Sequence, residues 1–252
     1  LKALAGADRI ACEDTRVTAK LLNRYGIKKP MIAYHEHNMR ERGERLLSYI
    51  KNGEAIALVS DAGTPLLSDP GAELVQAAVA AGLSVTPYPG ASALLSALVA
   101  AGLPAAQFHF MGFLPPKQTA RRKALSEAAA IPGALVFYET APRLGDCLTD
   151  MADILGLRDA AVCRELTKLH ETIVRDDLAT LAAKFAAEKT KGEIVIVIGA
   201  AKENAVQVDI VPLLQTALKK SSLKEAVADV TKKTGLPRRD VYAEALRLKD
   251  KS

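Results

Sequence analysis

The stretch AIALVSDAGTPLLSDPG, residues 55–71, runs from an apolar segment directly into a loop of small and polar residues. The apolar segment 55–59 has the length and composition of a buried strand. Gly63 lets the loop backbone approach a ligand without an intervening Cβ, and Pro65 fixes the turn. The Pro-Gly pair at 70–71 marks the entry to a helix. In open α/β sheets, ligands bind in such loops, beyond the carboxyl ends of the strands.

Strands and helices alternate on both sides of this stretch. The pattern predicts strands at 9–12, 30–34, 55–59 and 83–88, and helices at 15–25, 39–52, 72–81 and 91–101. Alternating elements with short connections predict an α/β fold with a largely parallel sheet. Three further strands are predicted at 134–138, 160–163 and 193–198. The last of these should be buried on both faces, because nearly all of its residues are β-branched.

We therefore expect two α/β domains with a ligand cleft between them. The first domain covers residues 1–107 and the second covers residues 108–200. A linker at 201–220 and a basic helical tail at 221–252 follow, and the tail is split at 235–237 by Gly-Leu-Pro. The tail holds eight Lys and Arg residues against five Asp and Glu residues, a local net charge of +3.

Composition restricts the class of protein. With 252 residues, 49% of them hydrophobic, the chain can bury a substantial core. No apolar stretch reaches the ~18 residues of a membrane span and no signal-peptide pattern opens the chain, so we expect a cytoplasmic protein.

The net charge of +5 is compatible with an RNA partner, whereas 4% aromatic residues disfavour a base-stacking platform. Because the first residue is Leu1 and not Met, we expect that the natural start is missing.

The loop after segment 55–59 lacks the fingerprints of phosphate-binding loops. No GxGxxG follows a strand and no GxxxxGK[ST] occurs in the chain, which disfavours a dinucleotide or a triphosphate. Small residues beside a carboxylate suit an uncharged adenosine or an amino-acid group better. The alternative is a structural turn, in which Asp69 only benefits from the dipole of the following helix. A second loop of the same kind, YPGASA at 88–93, favours a binding role.

Eight motifs follow one another along the chain: CEDTR (12–16), YHEHN (34–38), VSDAGTPLLSDPG (59–71), YPGASA (88–93), GFLPPK (112–117), FYETAPR (137–143), RELTKLHE (164–171) and GEIVIVI (192–198). Together they resemble the tetrapyrrole methylase superfamily, and more narrowly its ribosomal RNA small subunit methyltransferase I branch. The resemblance covers essentially the whole chain. It implies a two-domain α/β homodimer that transfers a methyl group from S-adenosylmethionine to the ribose 2′-hydroxyl of a cytidine in small-subunit (16S) rRNA.

The same resemblance implies that the cofactor lies in the cleft between the domains, held largely by backbone groups. The residues that it assigns to cofactor binding are Asp61, Ala62, Gly63, Thr64, Pro65, Leu67, Pro89, Gly90, Ser92, Ala93, Tyr138, Glu139, Gly192 and Glu193. The chain departs from the family pattern in two places. The family's N-terminal strand with its glycine-containing loop is missing, which removes one wall of the cleft. Many relatives also have a proline and a cysteine after the glycine of the second loop, where this chain has Ala91 and Ser92.

Methyl transfer to a hydroxyl is a direct displacement, so a base is expected to accept the hydroxyl proton. Asp14, Asp61 and Glu139 are the candidate catalytic residues, and the sequence does not choose between them. The alternative for Asp14 is a helix cap, with Glu13 and Arg16 solvated beside it. The resemblance favours a catalytic or RNA-contacting role for this group.

The histidines of YHEHN raise the question of a metal site. His35 and His37 point to the same side of a strand, but no third ligand or HExxH pattern accompanies them. The cysteines form no CxxC pair and are expected to be buried free thiols. A sulfonium leaving group is already activated by its charge. We therefore predict no metal, and for His35 an RNA contact or a hydrogen bond within its loop.

A cluster of basic residues follows the Pro-Pro turn of GFLPPK. Charge runs are usually solvated faces, but the basic tail supplies a second patch, and a phosphate backbone binds several cations together. The predicted RNA-binding residues are Arg16, His35, Lys117, Arg121, Arg122, Lys123 and Arg143. The expected partner is small-subunit rRNA or the assembled 30S subunit.

Two other functions remain open. One is a methyltransferase that acts on a tetrapyrrole ring carbon, as in other branches of the superfamily. The extended basic patches disfavour it, because a porphyrin-like acid needs a compact basic cleft. The other is a non-catalytic RNA-binding ribosome-assembly factor with the same fold.

Overall fold

The computed structural model describes residues 1–201, 210–218, 222–234 and 238–249. Its contacts separate two compact units, Leu1–Ala201 and Lys202–Ser252. Among the described residues, no helix is long and apolar enough to cross a membrane.

The first sheet is parallel and has the order β2-β1-β3. Its strands are β1 (Arg9–Cys12), β2 (Met31–Ala33) and β3 (Ile56–Val59). The helices in this part of the chain are α1 (Lys2–Gly6), α2 (Thr15–Arg24), α3 (Met39–Lys51), α4 (Ala72–Ala80) and α5 (Ala93–Ala101). Cys12 at the end of β1 is level with Val59 at the end of β3. The segments that follow these two strands therefore emerge side by side.

The second sheet is mixed and has the order β4-β5-β8-β6-β7. Its strands are β4 (Phe108–Phe113), β5 (Ala134–Thr140), β6 (Asp159–Arg164), β7 (Thr172–Asp177) and β8 (Glu193–Ile198). The helices of this half are α6 (Gln118–Ala128), α7 (Leu144–Leu155) and α8 (Leu178–Ala187). β4 and β5 pair in parallel, whereas β8 is antiparallel to both β5 and β6.

The central strand β8 is buried on both faces, as its composition predicts. Alternate residues of a strand point to opposite faces. Ile194, Ile196 and Ile198 accordingly belong to the core formed with α6, α7 and α8. Val195 and Val197 belong to a second core, which contains the buried face of α5. Because α5 follows the first sheet in the chain but packs on the second, the two sheets form one compact unit.

The structure confirms the predicted α/β class and corrects individual elements. Residues 83–88 form no strand, although the sequence predicts one. Pro87 and Pro89 have no N–H to donate to a neighbouring strand, and Tyr88 is 72% exposed. β4 and β7 were not predicted. The proposed domain boundary after residue 107 falls between the two sheets and stays a proposal.

Where the structure describes the second unit, it contains three helices: α9 (Ile210–Leu218), α10 (Leu223–Thr234) and α11 (Arg238–Lys249). They pack around Leu214, Val227, Val230, Val241 and Ala245. α9 lies inside the segment predicted to be a linker. The predicted break at 235–237 lies outside the described residues. The basic side chains of the tail also lie outside the described residues, apart from that of Arg247. The Arg247 guanidinium pairs with Glu244 at 3.3 Å.

Candidate active site

A cleft of about 640 Å³ opens within the first unit, beyond the carboxyl end of β3. One side is formed by loop 61–69 and by the first residues of α5. The other side is formed by 138–142 at the end of β5 and by 190–195 at the start of β8. This volume is in the range of sites that bind small molecules and cofactors.

Most of the predicted cofactor residues meet in this cleft. Those that line it are Asp61, Ala62, Gly63, Thr64, Leu67, Ser92, Ala93, Tyr138, Glu139, Gly192 and Glu193. Pro65, Pro89 and Gly90 are not among the lining residues. The sequence motifs therefore converge in space, although they are spread over more than half of the chain.

Loop 61–69 has an unusual backbone conformation. Gly63 has a φ of 75°, and no atom lies within 4 Å of the position that its Cβ would take. Leu66 and Ser68 also have positive φ values, 75° and 64°. Such conformations are sterically costly for residues that have a Cβ, and they concentrate at functional sites. The loop therefore has a strained shape and open space in front of its glycine.

The two small-residue loops are joined by a hydrogen bond. The Thr64 hydroxyl donates to the carbonyl of Ala91 over 3.0 Å. Ser92 then caps α5, because its hydroxyl oxygen accepts from the N–H of Leu95 over 3.4 Å. Gly71, which caps α4, has a φ of 133°, and a Cβ there would lie 2.7 Å from a methyl carbon of Leu58. The glycine at this position is thus required by the fold.

An aromatic cluster forms part of the cleft wall. Tyr138 contacts Phe110 and Phe113 edge to face, with ring centroids 4.8 and 5.7 Å apart. Phe113 lines the cleft and is half exposed. Sequence reasoning missed Phe113, because only the parallel pairing of β4 with β5 brings it beside Tyr138.

Carboxylates predominate among the charged groups of the cleft. Glu13, Asp61, Asp69, Glu139 and Glu193 line it, and Lys191 is the only lysine or arginine among the described lining residues. Burial raises the pKa of Glu13, and the charges of Asp61 and Asp69 raise it further. Burial also raises the pKa of Asp69, although a hydrogen bond from Ser60 opposes the effect. The cleft is therefore suited to a cation and unsuited to phosphate.

Asp14 is a helix cap in the structure. Its carboxylate accepts from the N–H of Arg16 over 2.8 Å and pairs with the Arg16 guanidinium at 2.7 Å. The hydrogen bonds from Arg16 lower the pKa of Asp14 to about 2. A carboxylate with such a low pKa is a weak base, and Asp14 is not among the cleft residues. The structure thus favours the cap over the catalytic role.

The other two candidate bases lie in the cleft but differ in accessibility. Glu139 is 2% exposed, and its Oε1 accepts from the N–H of Thr140 over 2.7 Å. Its Oε2 lies 3.2 Å from the Arg143 guanidinium. Asp61 is exposed, and its Oδ1 accepts from the N–H of Asp14 over 3.3 Å. Asp61 is the better placed of the two to accept a proton.

The structure corrects the predicted role of Arg121. Its side chain is buried, at 4% exposure, and pairs with the buried Asp150 at 2.7 Å. Arg122 contacts the same carboxylate at 2.7 Å and Asp153 at 2.9 Å. These two arginines join α6 to α7. Burial makes Arg121 unavailable to RNA, and sequence alone could not identify a partner so far along the chain.

Arg143 also has partners within the protein. Its guanidinium donates to the carbonyl of Leu114 over 2.7 Å and pairs with Glu139. His35 is half-buried, and its Nε2 lies 3.1 Å from the side-chain nitrogen of Asn38. The exposed members of the predicted RNA-binding set are Arg16, Lys117 and Lys123.

Thiol and metal chemistry find little support at the site. Cys163 lines the cleft, but burial raises the pKa of its thiol to about 11, so that it is protonated at neutral pH. All three cysteines are buried and free, as predicted. Within the ranges that the structure describes, no three His, Cys, Asp or Glu side chains converge as metal ligands would.

The residues of the cleft fit S-adenosylmethionine. This cofactor has a sulfonium cation, an amino-acid group with an ammonium and a carboxylate, and an adenosine without phosphate, so that its positive charges exceed its negative charge. The excess of carboxylates in the cleft matches this net positive charge, and the open space at Gly63 allows a ligand to meet the backbone. The cleft volume of about 640 Å³ is adequate for a molecule of this size.

Comparison with known proteins agrees with this fit. The family described as Tetrapyrrole (Corrin/Porphyrin) Methylases matches residues 1–182, and the RsmI C-terminal HTH domain matches residues 204–249. The ribosomal RNA small subunit methyltransferase I of Xylella fastidiosa (strain Temecula1) is 48% identical over 92% of this chain and 87% of its own length. The protein of the same name from Mesorhizobium japonicum is 45% identical over 100% of this chain and 87% of its own length.

Solved structures show the same fold. The methyltransferase CobJ has a TM-score of 0.58 at 22% identity, over 79% of this chain and 86% of that one. The uroporphyrin-III C-methyltransferase of Thermus thermophilus, in complex with S-adenosyl homocysteine, has a TM-score of 0.52 at 20% identity, over 78% and 87% of the two chains. These comparisons confirm the predicted resemblance and the predicted cofactor, S-adenosylmethionine. The chain belongs to the tetrapyrrole methylase family and, within it, to the ribosomal RNA small subunit methyltransferase I group.

Proposed function

We propose that this chain methylates small-subunit (16S) rRNA, and that the acceptor is the ribose 2′-hydroxyl of a cytidine. The proposal is carried by the acidic cleft, in which two small-residue loops and two further motifs of the family meet. The names of the relatives support the class of substrate. The ribose position and the base are inferred from the resemblance of the motifs.

The cofactor is held mainly by the polypeptide backbone. Gly63 and its neighbours form one wall, and Gly192 and Glu193 form the opposite wall. Tyr138 and Phe113 supply an apolar surface between them, on which a purine can pack. The carboxylates stabilise the cationic end of the ligand through charge. When bound, S-adenosylmethionine supplies a methyl group on positively charged sulfur, which is already activated for displacement.

Asp61 accepts the proton of the ribose hydroxyl. As the ribose oxygen forms its bond to the methyl carbon, the bond from that carbon to sulfur breaks and its electron pair stays on sulfur. The hydroxyl proton passes to the Asp61 carboxylate, directly or through one water. Most of the rate enhancement comes from holding oxygen, carbon and sulfur in line at near-attack distance. Glu139, whose two oxygens face Thr140 and Arg143, has a positioning role in this mechanism.

The RNA backbone is bound outside the cleft, because its carboxylates repel phosphate. Lys117 is exposed at the N-cap of α6, Lys123 is exposed within α6, and Arg16 is the exposed last residue of the CEDTR segment. Phosphates positioned by these cations hold the duplex or loop at the rim, so that one ribose enters the cleft. The basic tail is a second proposed contact with RNA.

The acidic cleft disfavours the two alternatives. A tetrapyrrole carboxylic acid would meet carboxylates where it needs cations. An assembly factor without catalysis would have no use for a cleft that fits the cofactor. A homodimer and a cytoplasmic location stay proposals that rest on the resemblance and on the sequence. Light scattering on the full chain tests the first of these.

The proposed reaction is tested with purified protein, S-adenosylmethionine carrying a labelled methyl group, and either free 16S rRNA or 30S subunits from cells lacking the gene. Mapping of 2′-O-methyl groups should show one new modified cytidine. Label transferred to a base or to a tetrapyrrole, or a protein that binds the cofactor and modifies no RNA, would contradict the proposal.

A further inference from the structure

The motif RELTKLHE forms a closed loop at the rim of the cleft. The N–H of Glu165 donates to the carbonyl of Glu193 over 2.9 Å, and the N–H of Glu193 donates back to Glu165 Oε1 over 2.9 Å. Glu165 and Thr167 both have positive φ values, 52° and 65°. A loop with two residues in this costly conformation must be held in place by its surroundings.

Lys168 connects the two sides of this arrangement. Its ammonium nitrogen lies 2.9 Å from Glu165 Oε1 and 2.7 Å from Glu193 Oε2. Without it, the Glu165 and Glu193 carboxylates would face each other with no cation between them. We call the three side chains Glu165, Lys168 and Glu193 the Lys168 bridge.

The bridge lies at one wall of the cleft, and its member Glu193 lines that wall. Leu166 and Gly192 line the cleft, and each is next in sequence to a member of the bridge. Gly192 has a φ of 99°, and a Cβ there would lie 2.6 Å from the side chain of Glu165. The backbone at Gly192 is thus packed against Glu165, so that the position of the wall depends on the position of that side chain.

The exposure of Lys168 indicates that its ion pairs act on the local geometry of the loop more than on the global stability of the protein. Lys168 is about half exposed and belongs to neither of the two cores that pack on the second sheet. Exposed ion pairs contribute little to global stability. The same pairs can still fix the local geometry of a strained loop. Hydrogen bonding by Glu193 and Glu165 raises the pKa of Lys168.

We propose that Lys168 is a positioning residue for the methyl-transfer site, which acts by joining Glu165 to Glu193 and so fixes the cleft wall at Leu166 and Gly192. This role rests on the proposed function, because the wall is the surface offered to the cofactor. Lys168 itself does not line the cleft and touches no reacting atom.

The test compares four full-length proteins: wild type, K168M, K168R and K184M. Lys184 is an exposed lysine on α8 outside the cleft, so K184M controls for the loss of one positive charge. Calorimetric titration with S-adenosylmethionine should give a Kd for K168M about tenfold above wild type. K168R should recover most of the affinity, and K184M should stay within twofold of wild type. Methyl transfer by K168M should show a similarly raised KM for the cofactor, with kcat within twofold.

A second measurement uses the free protein. Hydrogen exchange at the Glu193 N–H should be faster in K168M, while the thermal unfolding midpoint stays near that of wild type. The proposal is wrong if K168M has the cofactor affinity and the hydrogen exchange of wild type. It is also wrong if both are altered but a loss of global stability explains the two changes. If wild type itself fails to bind S-adenosylmethionine, the proposed function is wrong, and the exchange measurement still decides whether Lys168 fixes the wall.

Discussion

Gly63→Val tests whether the loop after β3 binds the cofactor through its backbone. Gly63 lines the cleft, has a φ of 75°, and has no atom within 4 Å of the position of an added Cβ. A valine there meets no protein atom at its Cβ, and its side chain extends into the space assigned to the ligand. The variant should therefore fold and lose cofactor affinity.

Gly63→Val should have two separate effects, one on the free energy of unfolding and one on the cofactor affinity. A residue with a Cβ in the left-handed region costs about 1–2 kcal/mol, which lowers the free energy of unfolding. Forcing a ligand to share its space with added methyl groups costs about 1–3 kcal/mol, as in an overpacked core. Since 1.4 kcal/mol corresponds to tenfold in affinity, the Kd for S-adenosylmethionine should rise by roughly 5- to 150-fold.

Gly53→Val is a closely matched control. Gly53 follows α3, has a φ of 90°, and also has no atom within 4 Å of an added Cβ, but it does not line the cleft. Urea unfolding should show a similar loss of stability in both variants, whereas calorimetry should show a loss of affinity in Gly63→Val alone. If both variants bind the cofactor equally well, Gly63 does not face the ligand and the loop is only a structural turn.

Three further outcomes are expected. Asp150→Asn leaves the buried Arg121 guanidinium without its counter-charge and should lower the free energy of unfolding by about 3–5 kcal/mol. Asp153→Asn, at the exposed end of the same network, should lower it by less than about 1 kcal/mol. Urea titrations measure both values. Asp61→Asn should reduce kcat for methyl transfer by about 10²- to 10⁴-fold, and a smaller loss at saturating substrate would rule out Asp61 as the base. Because the pKa values of Glu13 and Asp69 are raised, these carboxyls take up protons at a higher pH than usual as the pH falls. As the pH falls, the affinity for S-adenosylmethionine should therefore decrease more steeply than the affinity for the product S-adenosyl homocysteine, whose sulfur is uncharged. Calorimetric titrations between neutral and mildly acidic pH measure the ratio of the two affinities.

Sequence reasoning succeeded where the signal is local. The run at 55–59 is apolar and short, and the loop after it contains Gly63 and Pro65, so both the strand and the turn are determined by neighbouring residues. The same holds for β8, whose alternating isoleucines and valines require a core on each face. The cofactor residues were predicted through motifs, and the fold then placed most of them around one cleft.

Sequence reasoning failed where the structure depends on a partner that is distant in the chain. Residues 83–88 have the composition of a strand, but Pro87 and the following Pro89 limit hydrogen bonding, and no described strand pairs with the segment. Arg121 was expected to contact RNA because it belongs to a cluster of basic residues. Its burial depends on Asp150 in another helix, and no spacing rule connects the two positions. Phe113 was missed for the same reason, since β4 joins the cleft only by pairing with β5.

Helix α5 explains how a cleft between two sheets can keep a fixed shape. Its N-terminal residues Ser92 and Ala93 line the cleft, whereas its buried face packs on the second sheet through Leu94 and Ala97. At its other end, Arg175 of β7 donates to the carbonyl of Ala101 over 3.0 Å, where a cation is favoured by the helix dipole. The end of the helix that faces the cleft is therefore positioned by the second sheet, while the Thr64 hydrogen bond to Ala91 ties the loop of the first sheet to the same point. Because α5 belongs to one wall and packs on the sheet that carries the other wall, the two walls are held at a fixed separation before any ligand arrives. Binding therefore incurs no further cost for ordering them.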